Sequence, residues 1–308
     1  MKLQQISKKE TLTQRVVGRM TKYAPILMLA EFYSMVGNAD KPRKSATASG
    51  GKFRPLDDDF PANQVTPQFA DVALKIFGDK VQVDVAHERR GGDIASVRLS
   101  ELDNFSKNLG KEFQNQFTNG DSGTATNFDG IKKLVPSAQK ITPAENGIEV
   151  PMGNDNASKK AQQIFLEQLF SLLEKIDGGA QLLYMDSKTL SRLNSVAREF
   201  IRYERDKDFG IRIGYFNEVP IILSGYAKDG SLVIGHNETV GTSDDCTSIY
   251  AMRFGERSDL TIATNIGVEV TDMGKVGPHY VHNVELDAAP ALLNNKALAR
   301  LEGIRIVS

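Results

Sequence analysis

The chain has no tryptophan and a single cysteine in 308 residues. One thiol, Cys246, cannot close an intrachain disulfide, which excludes a disulfide-stapled secreted scaffold and is compatible with synthesis in a cytoplasm. An excess of one charge is missing too. Lys and Arg number 38 against 39 Asp and Glu, a formal net charge of −1, whereas a protein that condenses nucleic acid by charge alone is far more basic. No long apolar run exists. The most apolar stretch, residues 24–36, is interrupted by Glu31 well short of the roughly 20 residues that a membrane span needs. It also begins late and runs into Gly37-Asn38 instead of a small-x-small cleavage site, so it does not read as a signal peptide. What is present is ordinary globular chemistry, 40% hydrophobic and 25% charged, in a length that suits one large domain or two ordinary ones.

Catalytic and ligand-binding patterns are scarce. Gly50-Gly51-Lys52 lacks a leading glycine and is followed by Phe53, so it cannot cradle a phosphate as a Walker loop does. No G-x-G-x-x-G follows a strand pattern, and no G-x-S-x-G elbow occurs. Ser49-Gly50-Gly51-Lys52 fits S-x-x-K in form, but it lies in a core-poor segment with no rigid shell to position it. Cys246 follows Asp244-Asp245, and neighbouring acids suppress the thiolate, so a structural role is expected. His279 and His282 lie three apart in a strand pattern, which sends their rings to opposite faces and makes surface or interface histidines the expectation. His236, in Gly235-His236-Asn237, reads as a loop residue. Asp57, Asp58 and Asp59 diverge in an extended chain and form a solvated or ion-paired patch more readily than a cation site. The residues therefore predict no catalytic, cofactor-binding or metal-binding set.

Along the chain, residues 1–36 read as a basic arm. Leu12, Val16, Val17 and Met20 share a helical face with Thr11 as its cap, and Lys2, Lys8, Lys9, Arg15, Arg19 and Lys22 stand against Glu10. The plainer reading of that pattern is a packed N-terminal helix. Residues 37–64 carry only Phe53, Leu56 and Phe60 as large apolar groups and are broken by Pro42, Pro55 and Pro61, so they cannot form a core of their own. Their charge is segregated: Lys41, Arg43, Lys44, Lys52 and Arg54 precede the three aspartates. Alternation over 70–86 predicts two strands turning at Phe77-Gly78-Asp79-Lys80. Leu99, Leu102, Phe105, Leu109, Phe113 and Phe117 step by three or four and predict a long helix over 97–117, with a narrow apolar stripe, closed by left-handed-tolerant Asn119-Gly120-Asp121. Residues 122–280 read as an α/β unit. It has helices over 157–176 (cap Asp155 or Asn156) and 187–203 (cap Asp186 or Ser187), and strands near 181–185, 211–215, 219–223, 248–254 and 267–271. Further strands are predicted at 280–286 and 297–307.

Several stretches carry a resemblance. These are Phe113-Gln114-Asn115-Gln116-Phe117-Thr118-Asn119-Gly120-Asp121 followed by Asn127-Phe128-Asp129-Gly130-Ile131, then Leu182-Leu183-Tyr184-Met185 with 187–194. Further on come Phe209-Gly210 through Tyr215 with Val219-Pro220-Ile221-Ile222, Ser248-Ile249-Tyr250-Ala251-Met252-Arg253-Phe254-Gly255, and Ala299-Arg300-Leu301-Glu302-Gly303-Ile304. In order and spacing the chain, from about residue 20 to its end, resembles the major capsid proteins of tailed bacteriophages, whose fold is shared with herpesvirus capsid floors and encapsulins. It departs from many relatives in having Val284-Glu285-Leu286 where they carry an aromatic-rich strand.

The resemblance implies an α+β fold divided into an N-terminal arm (1–36), an extended β-hairpin loop (37–86), a peripheral domain with the spine helix (87–122), an α/β axial domain (123–279) and a C-terminal return to the peripheral domain (280–308). It implies a non-enzymatic virion protein without cofactor, made in the host cytoplasm. Its copies assemble as pentamers and hexamers into an icosahedral shell, with scaffold, portal and decoration proteins as further partners. Double-stranded DNA is packaged inside without sequence specificity, and no membrane is involved. Lys41, Arg43, Lys44, Lys52, Arg54, Asp57, Asp58, Asp59, Arg89 and Arg90 are the expected intersubunit contacts, with Arg89-Arg90 of one copy facing the aspartates of another. The alternatives are an encapsulin-like compartment that stores a cargo protein and, in a different class, a soluble α/β enzyme.

Overall fold

The computed structural model describes residues 1–45, 53–60, 67–205 and 212–306, leaving aside the side chains of Arg205 and Arg212. Helix and strand take near-equal shares, 33% and 32%, and the strands pair mostly antiparallel, which makes the fold α+β. Two sheets form its frame. In the five-stranded sheet Phe32–Ser34, Leu260–Thr264, His279–Leu292 and Val268–Val276 follow one another, and Lys75–Asp84 also pairs with His279–Leu292. The nine-stranded sheet runs Lys140–Ile141, Leu298–Arg305, Ser243–Met252, Leu182–Met185, Val219–Leu223, Arg212–Phe216, Ile201–Arg205. Short strands Glu238–Val240 and Ile148–Glu149 pair with Ser243–Met252 and Leu298–Arg305.

The spine helix, Ile94–Asn119, is 26 residues long, about 39 Å at 1.5 Å per residue. Asp93 starts it by accepting the Ala95 N–H at 3.1 Å. Its stripe of Leu102, Leu109, Phe113 and Phe117 is buried between elements of both sheets. Strand alternation explains how one sheet serves two cores. Leu182 and Tyr184 face the spine helix, as do Tyr250 and Met252. Leu183, Met185, Ile249 and Ala251 face the opposite way, onto Phe165, Leu169 and Leu172 of the helix Asn156–Glu174 and Leu193 of the helix Ser187–Val196. Asp155 and Asp186 cap these two helices, accepting from Ser158 N (3.0 Å) and from Lys188 N (2.7 Å) and Thr189 N (3.1 Å).

The arm is a packed element. Val16, Val17 and Met20 of its helix, Thr11–Tyr23, are fully buried against the spine helix and the five-stranded sheet. Thr11 is not the cap: Glu10 occupies that position, with no side-chain hydrogen bond, and Thr11 is the first helical residue. The crossing is close because Gly110 of the spine helix lacks a side chain. A Cβ there would lie 2.7 Å from the Met20 carbonyl oxygen and 3.0 Å from its Cα.

Four further expectations change. The turn expected at 77–80 does not exist, since Lys75–Asp84 is one continuous ten-residue strand paired along its length with 279–288. Gly78 is there for proximity, because a Cβ would sit 2.0 Å from the Val284 carbonyl oxygen. Gly120 has φ −53°, so the spine helix does not close through a left-handed residue. The helix expected to reach 203 ends at Val196, and Arg198–Phe200 then forms a 3₁₀ turn leading into Ile201–Arg205. Residues 280–308 divide between sheets: His279–Leu292 lies in the five-stranded one and Leu298–Arg305 in the nine-stranded one. Val284 and Leu286 are buried, filling their stretch without aromatic side chains.

Replacing Gly110 with Ala raises helix propensity, yet the new methyl meets backbone that cannot swing aside. The expected result is a net loss of about 1–3 kcal/mol in urea unfolding of the unassembled chain.

Candidate functional site

The extended loop is a hairpin on different residues from those expected. Its two limbs are 38–45 and 67–74, joined by pairing of Ala39 with Ala73 and of Asp40 with Val72. Main-chain hydrogen bonds continue the ladder outward: Leu74 N to Asn38 O at 2.8 Å, Ala70 N to Pro42 O at 2.9 Å and Lys44 N to Gln68 O at 2.7 Å, with a bridge between Arg43 and Phe69. The Ser45 N–H donates to Leu293 O at 2.8 Å and ties one limb to the body. Beneath this base lies a small separate core of Tyr33, Met35, Val72, Ala263, Ala289, Ala291 and Leu293. Small alanines on the two sheet strands let the hairpin base approach closely, so the loop leaves the body from a fixed footing.

The loop residues at 53–60 have no such support. Phe53 and Leu56 are exposed almost completely, and Phe60 and Phe69 for more than half of their surface. Asp57 turns the chain at φ 67°, a left-handed conformation that Asp tolerates better than most residues. Arg54 holds the turn through Nη1, donating to Asp58 O at 2.8 Å and Pro55 O at 3.3 Å, and its guanidinium lies over the Phe60 ring at 5.4 Å. A string of exposed large apolar groups has no stabilising role in a lone subunit.

The charged candidates are distributed as follows. Lys41 pairs with Asp71 at 3.1 Å at the loop base, both side chains mostly exposed at 77% and 85%, which makes the pair worth about 0–1 kcal/mol. Arg43 and Lys44 lie on the same limb, Arg54 holds the turn, and Lys52 lies outside the described residues. Asp57, Asp58 and Asp59 are exposed. Arg89 ends the short helix Ala86–Arg89 and Arg90 caps it, both exposed. The structure therefore gathers Lys41, Arg43 and Lys44 at the loop base. Within one chain no ion pair of the described residues joins the aspartates to Arg89 or Arg90.

A charged cluster that no sequence motif marks ties the short helix after the spine helix to the nine-stranded sheet. Arg300 and Glu238, exposed by only 7% and 10%, pair at 2.8 Å. Lys132, on the short helix Ile131–Leu134 after the spine helix, reaches the other Glu238 oxygen at 2.8 Å. Ser248 donates to Glu238 and accepts from Arg300 Nε at 3.0 Å. Burial pushes the Glu238 carboxyl up, but the Arg300 charge, Lys132 and Ser248 outweigh it and hold it below the usual carboxylate range. The available signal was a lone arginine inside the apolar strand 298–304, because a charge in such a place requires a partner. His282 also departs from the surface or interface position expected of it, being buried within the chain. It is 3% exposed, close to Arg98 and Asp272, while His279 is half-buried.

Among the described residues no group of three or more His, Cys, Asp or Glu could hold a metal ion, and no helix is long and apolar enough to cross a membrane. Asp186 and His236 meet at 3.1 Å, with the carboxylate occupied as a helix cap. Cys246 is buried, and burial together with Asp245 raises its thiol pKa, which leaves it unreactive.

Glu238→Gln leaves buried Arg300 with Glu302, at 3.4 Å, as its one remaining carboxylate among the described residues. The expected cost is about 3 kcal/mol in urea unfolding. Because the Glu238 carboxyl is depressed on folding, its contribution is complete above the unfolded value of about 4.3 and declines as pH falls through the lower folded value. The difference between the parent chain and Glu238→Gln is therefore expected to shrink below about pH 4.

No protein-family model and no curated protein matches the sequence. Solved structures do. The SrpI encapsulin of Synechococcus elongatus superposes with TM-score 0.60 at 14% identity, over 98% of this chain and 92% of that one. The capsid of an empty GTA particle gives 0.57 at 12% identity, over 92% and 90%. The procapsid of satellite phage P4 gives 0.54 at 11% identity, over 96% and 100%. With its spine helix, hairpin loop and two sheets, the chain has the fold shared by phage capsid proteins and encapsulins.

Proposed function

We propose that this chain is the major capsid protein of a tailed bacteriophage. Its copies associate as pentamers and hexamers and close into an icosahedral shell around double-stranded DNA. The observation that carries this reading is the hairpin loop: a firmly seated base and, beyond it, Phe53, Leu56 and Phe60 exposed on a segment with no core. Burying such side chains contributes about 1.5–3 kcal/mol each, and in a shell subunit a neighbouring copy supplies the burial. Contacts in the large-interface class, above about 2,000 Å² in total, are expected. The formal net charge of −1 does not favour compaction of DNA by the subunit itself. Filling the shell therefore belongs to other components, with scaffold, portal and decoration proteins as further partners. The chain resides in the virion after synthesis in the host cytoplasm, acts without catalysis, and binds DNA without sequence specificity.

Charge sets register within this scheme. Lys41, Arg43, Lys44, Lys52 and Arg54 face acids of an adjacent copy, and Asp57, Asp58 and Asp59 face its Arg89 and Arg90. Each exposed pair is weak, about 0–1 kcal/mol, but repetition over a shell makes the sum decisive for assembly rate and partner choice.

The test is size-exclusion chromatography with negative-stain microscopy, on the chain expressed alone and together with its neighbouring genes. Shells, or uniform five- and six-membered rings, are expected. A monodisperse monomer or dimer under both conditions overturns the reading, and particles filled with another protein in place of DNA move it to a storage compartment. Phe53→Ala with Leu56→Ala is expected to abolish assembly while leaving subunit unfolding within about 0.5 kcal/mol of the parent. Replacing the three aspartates with asparagine is expected to slow assembly and alter its salt dependence. Light-scattering kinetics that stay unchanged across salt would remove the charge pairing from the scheme.

A further inference from the structure

In the first turns of the spine helix one polar side chain reaches the five-stranded sheet. Arg98 Nη2 donates to Asp272 Oδ1 at 2.6 Å and contacts His282 Nε2 at 3.2 Å. Its guanidinium also lies over the Tyr280 ring at 5.0 Å. Tyr280 in turn donates to Glu88 Oε2 at 3.0 Å, bringing the short helix Ala86–Arg89 into the same cluster. Arginine has donors only, so His282 Nε2 must be the acceptor and the imidazole proton resides on Nδ1. The contact thus exists only while His282 is neutral.

The surroundings decide what a second proton would do. His282 is 3% exposed. Asp272 stands across from it on Val268–Val276, and uncharged Val81 stands across from it on Lys75–Asp84. On its own strand the same-face neighbours are Tyr280 and Val284. Asp272 Oδ1 is already engaged by Arg98 and by the Gly274 N–H at 2.8 Å, while Oδ2 is 3.7 Å from His282 Nε2, beyond hydrogen-bond reach. Protonation would place two cations 3.2 Å apart, opposite a single carboxylate, with donor facing donor. Asp272 is 41% exposed at its side chain, so protons have access to the cluster from solvent.

We propose that Arg98, Asp272 and His282 form an acid-released latch that fastens the N-terminal turns of the spine helix to the five-stranded sheet and lets go when His282 takes a second proton. Burial first, with the Arg98 charge adding to it and Asp272 opposing, lowers the His282 pKa from its ordinary value. A histidine depressed in this way stabilises the closed latch above the ordinary value of about 6.5, and that contribution declines as pH falls below it. The C-terminal part of the helix, with Phe113 and Phe117 fully buried, packs in an apolar cluster whose only titratable members among the described residues are tyrosines, which do not change charge near pH 6, and it stays in place. The latch does not depend on the capsid reading.

Hydrogen exchange with mass spectrometry on the full chain, corrected for intrinsic exchange at each pH, tests it. Between about pH 7.5 and about pH 5, protection of residues 94–99 is expected to fall about tenfold while that of residues 109–117 holds. In His282→Gln the amide oxygen accepts from Arg98 at every pH, and the fall is expected to be under about twofold. Equal falls in both proteins, or none in the parent, overturn the proposal. Should the variant not fold, exchange at the imidazole C2 of the unaltered chain serves instead: a His282 midpoint below about 6.5 supports the latch, and one at or above it overturns it.

Discussion

The constraint on which the rest of the structure depends is the burial of one helix stripe between two sheets. Leu102, Leu109, Phe113 and Phe117 line a helix too long and too narrowly apolar to be covered by a single layer. The five-stranded sheet supplies Val268, Val284 and Leu286, the nine-stranded sheet supplies Tyr184, Tyr250 and Met252, and the arm helix supplies Val17 and Met20. All join one continuous core. The two sheets are thus joined through the helix, and Lys132, on the short helix that follows it, adds a directed ion pair to Glu238 of the nine-stranded sheet, itself held by Arg300.

That arrangement leaves the hairpin loop in an unusual position. Its base is locked by backbone pairing and a small alanine-rich core, while the residues beyond carry phenylalanines and a leucine into solvent. A monomer gains nothing from this division. A subunit that must meet copies of itself does, because the base sets the direction in which the apolar groups are presented, and what they contact is left to association. The charges on the loop are too exposed to stabilise the subunit, and their distribution is better suited to selecting a partner than to holding the chain together.

Much of this was legible in the residues. The spine helix, the two helices that follow it over 156–174 and 187–196, and many strands follow from periodicity, because a stripe at 3.6 or an alternation at 2 reports which side is buried. Each of the two later helices has two candidate caps in the sequence, of which the structure uses Asp155 and Asp186. The hairpin was misplaced because Gly78 and Asp79 have the composition of a turn, yet Gly78 is required by the closeness of Val284. The same ambiguity affected Gly120, whose neighbours suggested a left-handed close that the backbone does not adopt. Alternation puts His282 on one face of its strand but says nothing about what lies above that face, so its burial under Arg98 is not legible there. Nothing local marks Glu238, because its partner Arg300 is distant in sequence.

By itself, then, the sequence determined the class of the fold, the helix that organises it, the absence of a recognisable catalytic motif and the core-poor character of the loop. These are properties of local pattern and composition, which need no knowledge of neighbours. Only the tertiary structure decided which strands pair, where the hairpin is hinged, that the arm is folded into the core, and which charges are buried together. Those outcomes depend on contacts between residues far apart in the chain, where a backbone approach of a few ångströms, as at Gly110 with Met20 or Gly78 with Val284, selects one arrangement over others with the same local pattern.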